Sequence, residues 1–297
     1  MHELREHERV FVKKFITYDR ARRFPCPVLL TFCFRTLNQV EMETNLDLRL
    51  AERYHSAAQK ARVVTENWAV GNMYCLACPS PRIEATRTGS QAIDFLCPRC
   101  EEPYQLKGCN HAFGARVVDG AYAAMLGAIR AGATPHLLLL QYSLLTATVL
   151  NLSFVPRFAL TSSCLEQRPP LREGARRAGW IGCNIVLRNI PSDTRIAIIS
   201  NGRVASPNLT RKQYHRSLPL ANLRAEQRGW TLDILNVVRG LEREHFSLKD
   251  VYAREGYLAT LHPNNQNIQP KIRQQLQVLR DLGFIEFVSP GQYRTVR

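Results

Sequence analysis

Four cysteines stand as two knuckles, Cys75-x2-Cys78 and Cys97-x2-Cys100, with eighteen residues between the pairs. Each short loop turns two sulfurs toward one point, and two loops complete a tetrahedron. The spacing is that of a four-thiolate structural zinc site. An ion bound there contributes about 10–16 kcal/mol of apparent free energy to folding, which is large beside the ~5–15 kcal/mol by which a domain is stable. Disulfides, an iron–sulfur cluster and a thioredoxin-like redox pair fit less well. Nothing in the sequence marks an oxidising compartment, and a redox role leaves one knuckle unexplained.

Groups of a different chemistry flank the second knuckle. Ala92-Ile93-Asp94-Phe95-Leu96 runs into Cys97, and Tyr104-Gln105-Leu106-Lys107 runs out beyond Cys100. Both pieces alternate in the strand sense, which predicts a β-hairpin with the knuckle at its tip and Asp94, Gln105 and Lys107 on one face. An Asp, a gap of about ten residues and then Asp/Glu/Gln-x-Lys on a neighbouring strand resembles the PD-(D/E)xK nuclease centre. That resemblance implies the roles. Asp94 binds a divalent cation, Mg²⁺ for preference, through oxygen. Gln105 offers a carbonyl oxygen or orients a water. Lys107 helps activate the attacking water or neutralises charge on the phosphorane. The pattern is short, and a bland solvent-exposed hairpin also fits it, so the rest of the chain must decide.

Composition supports a polyanion partner. The 297 residues carry a formal charge of +15 with 45% apolar residues. That is enough to bury a core and excludes disorder of the whole chain. Residues 42–229 hold most of the excess, 23 basic against 13 acidic, or +10, so the positive field sits mainly on the part that carries the nuclease centre; a general solubility charge is the alternative. No apolar run reaches membrane-spanning length, and the short apolar segment Phe24–Phe34 lacks the small-residue cleavage site of a signal peptide. A cytoplasmic protein, monomeric in solution and without a membrane partner, is the expectation. Cys26, Cys33, Cys109, Cys164 and Cys183 show no pairing pattern. Residues 1–41 lack sustained periodicity and read as a poorly ordered extension, with an upstream start codon as one source.

The elements that must position these groups follow from Met42 onward. A helical pattern from Leu46 runs through QKARVVTENW (59–68). Glu66 near its end is either a metal or water ligand, as helix carboxylates are in PD-(D/E)xK nucleases, or a solvated glutamate. DGAYAAMLGAIRAG (119–132) reads as an Ala-rich helix. HLLLLQYS (136–143) reads as a buried central strand with VLNLSFVP (149–156) as its neighbour. RIAIIS (195–200) with Asn201-Gly202 opens a hairpin. Strands with flanking helices give an α/β sandwich around a mixed sheet. Between them RPPLREGARRAGWIGCNI (168–185) is irregular. Arg172, Arg176 and Arg177 are placed to clamp phosphates, and Trp180 either contacts bases or methyl groups or folds back onto the core. Residues 203–229 read as a linker.

The last 68 residues make a compact unit. Thr231 is read as the cap of a helix to about Glu242, and Ser247 as the cap of a second. A third spans 270–283 with Pro270 near its start and Gly283 at its end, and 284–296 forms a hairpin. Three helices and a hairpin make a winged helix. Lys271, Arg273, Gln274 and Gln275 are left at the outward N-terminal end of the third helix, where helix-turn-helix relatives meet base edges. A winged helix used only for protein contacts is the alternative.

Taken together, QKARVVTENW, the spaced cysteines, DGAYAAM, ARRAGWIGCNI, RGWTLDILN and KIRQQLQVLRDLGFIEF, in this order, resemble the DpnI-type methyl-directed type II restriction endonucleases. The likeness runs from about Met42 to the C-terminus. It implies two parts, a PD-(D/E)xK mixed-sheet nuclease core with an inserted four-Cys zinc site (42–225) and a winged-helix DNA-binding domain (226–297); the extension 1–41 finds no counterpart in it. It also implies Mg²⁺ and Zn²⁺, and cleavage of double-stranded DNA at 5′-GATC carrying N6-methyladenine. Asp94 and Lys107 match the family's catalytic pattern. Gln105 departs from it, since close relatives carry Glu there, and the lost charge should weaken Mg²⁺ binding. A nuclease-dead methyl-DNA reader and a zinc-ribbon regulator remain as the competing readings.

Overall fold

Leu137, Leu138, Leu139 and Leu140 are buried in succession, the signature of a strand covered on both faces. This strand is the middle of the molecule in the computed structural model, which describes residues 42–86 and 92–296. The extension expected over 1–41, with Cys26 and Cys33, lies outside the described residues.

In chain order the first part comprises α1 (Ala57–Asn72), β1 (Glu84–Ala85), β2 (Phe95–Leu96), β3 (Pro103–Cys109), β4 (Arg116–Ala121), α2 (Tyr122–Ala131), β5 (His136–Ser143) and β6 (Thr148–Val155). It continues with β7 (Leu165–Gln167), β8 (Gly182–Val186), β9 (Ile196–Ser200), β10 (Arg203–Val204) and α3 (Pro207–Ser217). Seven strands form one mixed sheet in the order β1-β2-β3-β5-β6-β9-β10, and β4-β8-β7 form a smaller one. Only β3 and β5 run parallel in the large sheet. A parallel pair needs a crossover, and β4 with α2 supplies it. Asn201 and Gly202, both at positive φ, close the β9–β10 hairpin as a primed turn.

Three expectations need correction here. The Ala-rich helix begins at Tyr122 and not at Asp119, because Arg116–Ala121 pairs with β8 and holds the chain extended. The stretch 203–229 is no linker. It contains β10 and α3, the latter started by Pro207, then a short 3-10 turn, Leu218–Asn222. Thr231 caps nothing: the next helix starts at Ala225, and the buried Thr231 hydroxyl oxygen lies 2.8 Å from the Gln227 carbonyl one turn back.

The second part is α4 (Ala225–Gly240), β11 (His245–Ser247), α5 (Leu248–Tyr252), α6 (Glu255–Leu261), α7 (Ile268–Asp281), β12 (Ile285–Ser289) and β13 (Gln292–Thr295). Ser247 and Asp250 form a reciprocal capping box that starts α5. Gly283 at φ +78° ends α7. The three strands pair in the order β11-β13-β12, so the wing has a third strand beyond the expected hairpin. The fold is therefore an α/β mixed-sheet core carrying a four-cysteine cluster, followed by a winged helix.

Candidate active site

The second knuckle is the tip of the β2–β3 hairpin. Phe95 pairs with Tyr104 and Leu96 with Pro103. Cys97 N–H donates to the Glu102 carbonyl and Glu101 N–H to the Cys97 carbonyl, closing the loop. The first knuckle follows α1 and is gripped by Arg211 of α3, whose guanidinium donates to the carbonyls of Cys75 and Ser80, both at 3.0 Å. The four sulfurs lie within 4.8 Å of one another. Cys75 and Cys100 are 3.6 Å apart, Cys78 and Cys97 3.5 Å. A tetrahedron of thiolates around an ion such as zinc, with metal–sulfur bonds of ~2.3 Å, has edges of roughly 3.8 Å. The cluster can hold one metal ion. Tyr104 O–H donates to Cys75 Sγ at 3.1 Å, which ties the cluster to the buried face of β3. Of the other thiols, Cys164 and Cys183 are buried and Cys109 half-buried.

On the opposite parity of β3 stand Gln105 and Lys107, both half-buried while Tyr104 is fully buried. Asp94 lies just before β2, across from Gln105. Its backbone is held from both sides: its N–H donates to the Tyr104 carbonyl and its carbonyl accepts from Thr86 N–H. Its side chain is fixed too, with Oδ2 accepting from Leu106 N–H at 2.7 Å. α1 comes close to β3 at Gly108, where an added Cβ would lie 3.2 Å from Thr65 Cγ2. That approach brings Arg62 and Glu66 to the same place. Asp94, Gln105, Lys107 and Glu66 all line one cavity of about 550 Å³.

Two ion pairs shape it. Arg62 Nε is 2.6 Å from Glu66 Oε1. The Glu66 hydrogen bond and charge, with a smaller contribution from Asp94, hold the Arg62 guanidinium above its ordinary pKa. Lys107 Nζ is 2.7 Å from Asp119 Oδ1 on β4. The site thus offers oxygen donors suited to a hard cation beside cationic groups suited to a phosphate. Arg62 and Asp119 were not anticipated. Arg62 could have been found as the i, i+4 partner of Glu66; Asp119 was hidden by assigning it to the helix.

Away from the cavity, Arg172, Arg176 and Arg177 are exposed on the irregular 168–181 loop. Arg177 lies 5.1 Å over the Trp180 ring. Trp180 is half-buried against Gly182, where any Cβ would come within 2.8 Å of the indole. On α7, Arg273 and Gln274 are exposed, and Lys271 sits 5.9 Å from the Trp230 ring centroid. Gln275 is not outward. It is fully buried on the face of Ile272, Leu276 and Leu279, its Oε1 accepting from the Thr231 hydroxyl at 2.7 Å and its Nε2 donating to Gln274. Helical periodicity places position 275 on the inner stripe.

A mixed-sheet α/β core whose cavity gathers acids, an amide and an amine, followed by a winged helix, is an arrangement that fits an enzyme acting on DNA. Family comparison specifies it. Residues 42–223 match the DpnI family, described as the Dam-replacing family, and residues 226–295 match the Dam-replacing HTH domain. The chain belongs to the DpnI family of methyl-directed restriction endonucleases. No helix among the described residues is long and apolar enough to cross a membrane.

Proposed function

We propose that this chain is a type II site-specific deoxyribonuclease that cleaves double-stranded DNA at 5′-GATC sites bearing N6-methyladenine, by Mg²⁺-dependent phosphodiester hydrolysis. The reading rests on the single cavity lined by Asp94, Gln105, Lys107 and Glu66 in a chain of this family. Asp94 and the Gln105 carbonyl oxygen would hold Mg²⁺, which would supply Lewis-acid polarisation of the phosphate and a more acidic water. Lys107 presents its ammonium to the charge that builds on the phosphate oxygens. Glu66 orients a water at the rim. Zn²⁺ in the four thiolates is structural. Arg172, Arg176 and Arg177 contact phosphates. Trp180 in the core and Lys271, Arg273 and Gln274 in the winged helix read the site. The protein acts in the cytoplasm as a monomer.

Methyl dependence needs two readers. Burying one methyl gives about 0.8 kcal/mol, roughly a fourfold preference. Two methyl groups read by two domains multiply that preference. The neutral Gln105, with Glu66 already paired to Arg62, favours a second reading, a methyl-DNA binder without cleavage. One assay separates the readings. Purified protein is incubated, with and without Mg²⁺, with GATC duplexes methylated on neither, one or both strands. Cutting of methylated DNA alone is the expected result. Methyl-dependent binding with no cutting selects the second reading, and binding indifferent to methylation sinks both.

A further inference from the structure

We infer that Asp119 is a positioning residue of the nuclease site, acting through Lys107; the inference rests on the nuclease reading above. Lysine is a poor catalytic group unless something holds it. Its ammonium rides on four rotatable bonds, and a misplacement of about 1 Å can cost roughly 100-fold in rate. Lys107 is held. Its Nζ is 2.7 Å from Asp119 Oδ1, with side-chain exposures of 22% and 6%. That sets the contact apart from pairs such as Arg49–Asp47 or Arg82–Glu84, whose side chains are 38–84% exposed.

The contact is not a by-product of strand pairing. Lys107 belongs to β3 in the seven-stranded sheet, and Asp119 to β4 in the three-stranded one. No backbone ladder joins these two strands, so the side chains bridge two sheets across the edge of the cavity. β4 also carries an irregularity at this point: its register with β8 shifts between Asp119 and Ala121. A bulge of this kind re-aims the adjacent side chain. Asp119 stands opposite Cys183 in that pairing. Burial first, then the charge of Asp119, push the Cys183 thiol up to about 11, so the thiol is a neutral neighbour and does not compete for the carboxylate. Lys107 lines the cavity and Asp119 stands behind it. Asp119 therefore braces the ammonium without occupying the space of the phosphate. It also adds a fixed negative charge behind the lysine, in a site where Gln105 contributes none.

The test is a cycle of single-turnover and steady-state cleavage measurements on doubly methylated GATC DNA with Asp119→Asn, Lys107→Ala and the double variant. Asp119→Asn should lower kcat about 10–100-fold, the usual cost of losing an orienting partner, with KM within about threefold of the parent. In the Lys107→Ala background it should cost nothing further, because both changes act through one amine. Asp119→Glu should recover part of kcat, and serves as the comparison if Asp119→Asn lowers the melting temperature. An active parent whose kcat is unmoved by Asp119→Asn, or a double variant whose losses multiply, overturns the inference while leaving the nuclease reading intact. A parent that cuts no methylated duplex overturns the nuclease reading, and the role of Asp119 with it.

Discussion

At the scale of single residues, charge count at the proposed Mg²⁺ site is the variable that matters. Asp94 is the acid fixed by Leu106 N–H at 2.7 Å, Gln105 is neutral, and Glu66 is shared with Arg62. Restoring a charge with Gln105→Glu should preserve or raise cleavage and lower the Mg²⁺ concentration at half-maximal rate; complete loss of activity would mean that position 105 touches neither metal nor water. Asp94→Ala should abolish cutting and leave methylated-DNA binding intact, as read by gel shift beside the cleavage assay. A second residue-scale prediction concerns pH. His136 is buried, and its Nδ1 accepts from Arg157 N–H at 3.0 Å. Burial pushes its pKa down from the ordinary value, against the hydrogen bond and charge of Glu102. The folded form therefore stays neutral where the unfolded chain, titrating near ~6.5, takes up a proton. Stability falls as pH drops below that point, by at most about 1.4 kcal/mol per pH unit for one proton. Urea midpoints at pH 7.5 and 5.5 should converge in His136→Gln relative to the parent, and an unchanged pH slope would exclude His136 as the source. The line-up of Asp94, Gln105 and Lys107 was legible in the sequence because strand parity is a local property. Asp119 was not, because nothing local says which strand of a second sheet will face a given lysine.

At the scale of elements, the β2–β3 hairpin carries both chemistries. Its tip supplies two of the four thiolates and its arms supply Asp94, Gln105 and Lys107. β2 is only two residues long, a short run of pairing to fix a register, and an ion held by the four thiolates would pin the hairpin at its tip. Cys97→Ser, or stripping the ion with a chelator, should release one metal ion per chain, lower the melting temperature and abolish cleavage together. Chelated protein with unchanged melting and full activity would show that the cluster is a passenger. The cysteine spacing was legible because short loops fix local geometry. The extended backbone of β4 and the start of α4 at Ala225 differ from the sequence reading for the opposite reason. Asp119 and Thr231 carry side chains that cap helices well, and tertiary pairing overrode that preference, with β8 claiming the first and an earlier helix start absorbing the second. Gln275 shows the same limit in reverse: a polar residue was assigned outward, and Thr231 satisfied it inside.

At the scale of the whole molecule, the question is how firmly the winged helix is fixed to the core, since two readers multiply selectivity only if both engage one site. Several polar contacts join them, beside a hydrophobic cluster that contains buried residues of both parts. Arg239 of α4 makes a two-pronged pair with Asp193, both bonds at 2.8 Å, and donates also to the Val296 carbonyl at 2.9 Å. Asn236 donates to the Arg188 carbonyl, Ser163 to the buried Asp233, and Tyr257 to Asn189. The Arg239–Asp193 pair is the strongest of these on geometry, with side chains 10% and 16% exposed. Removing one partner strands the other in a half-dry setting. Arg239→Ala should therefore cost about 1.5–3 kcal/mol, and Arg239→Lys, which keeps the charge but not the fork, an intermediate amount. If the pair is what couples the two parts, Arg239→Ala should also split a single denaturation transition into two and reduce the preference for doubly over singly methylated DNA. A variant that unfolds in one step with undiminished methyl selectivity would locate the coupling in the Ser163–Asp233 and Tyr257–Asn189 contacts instead.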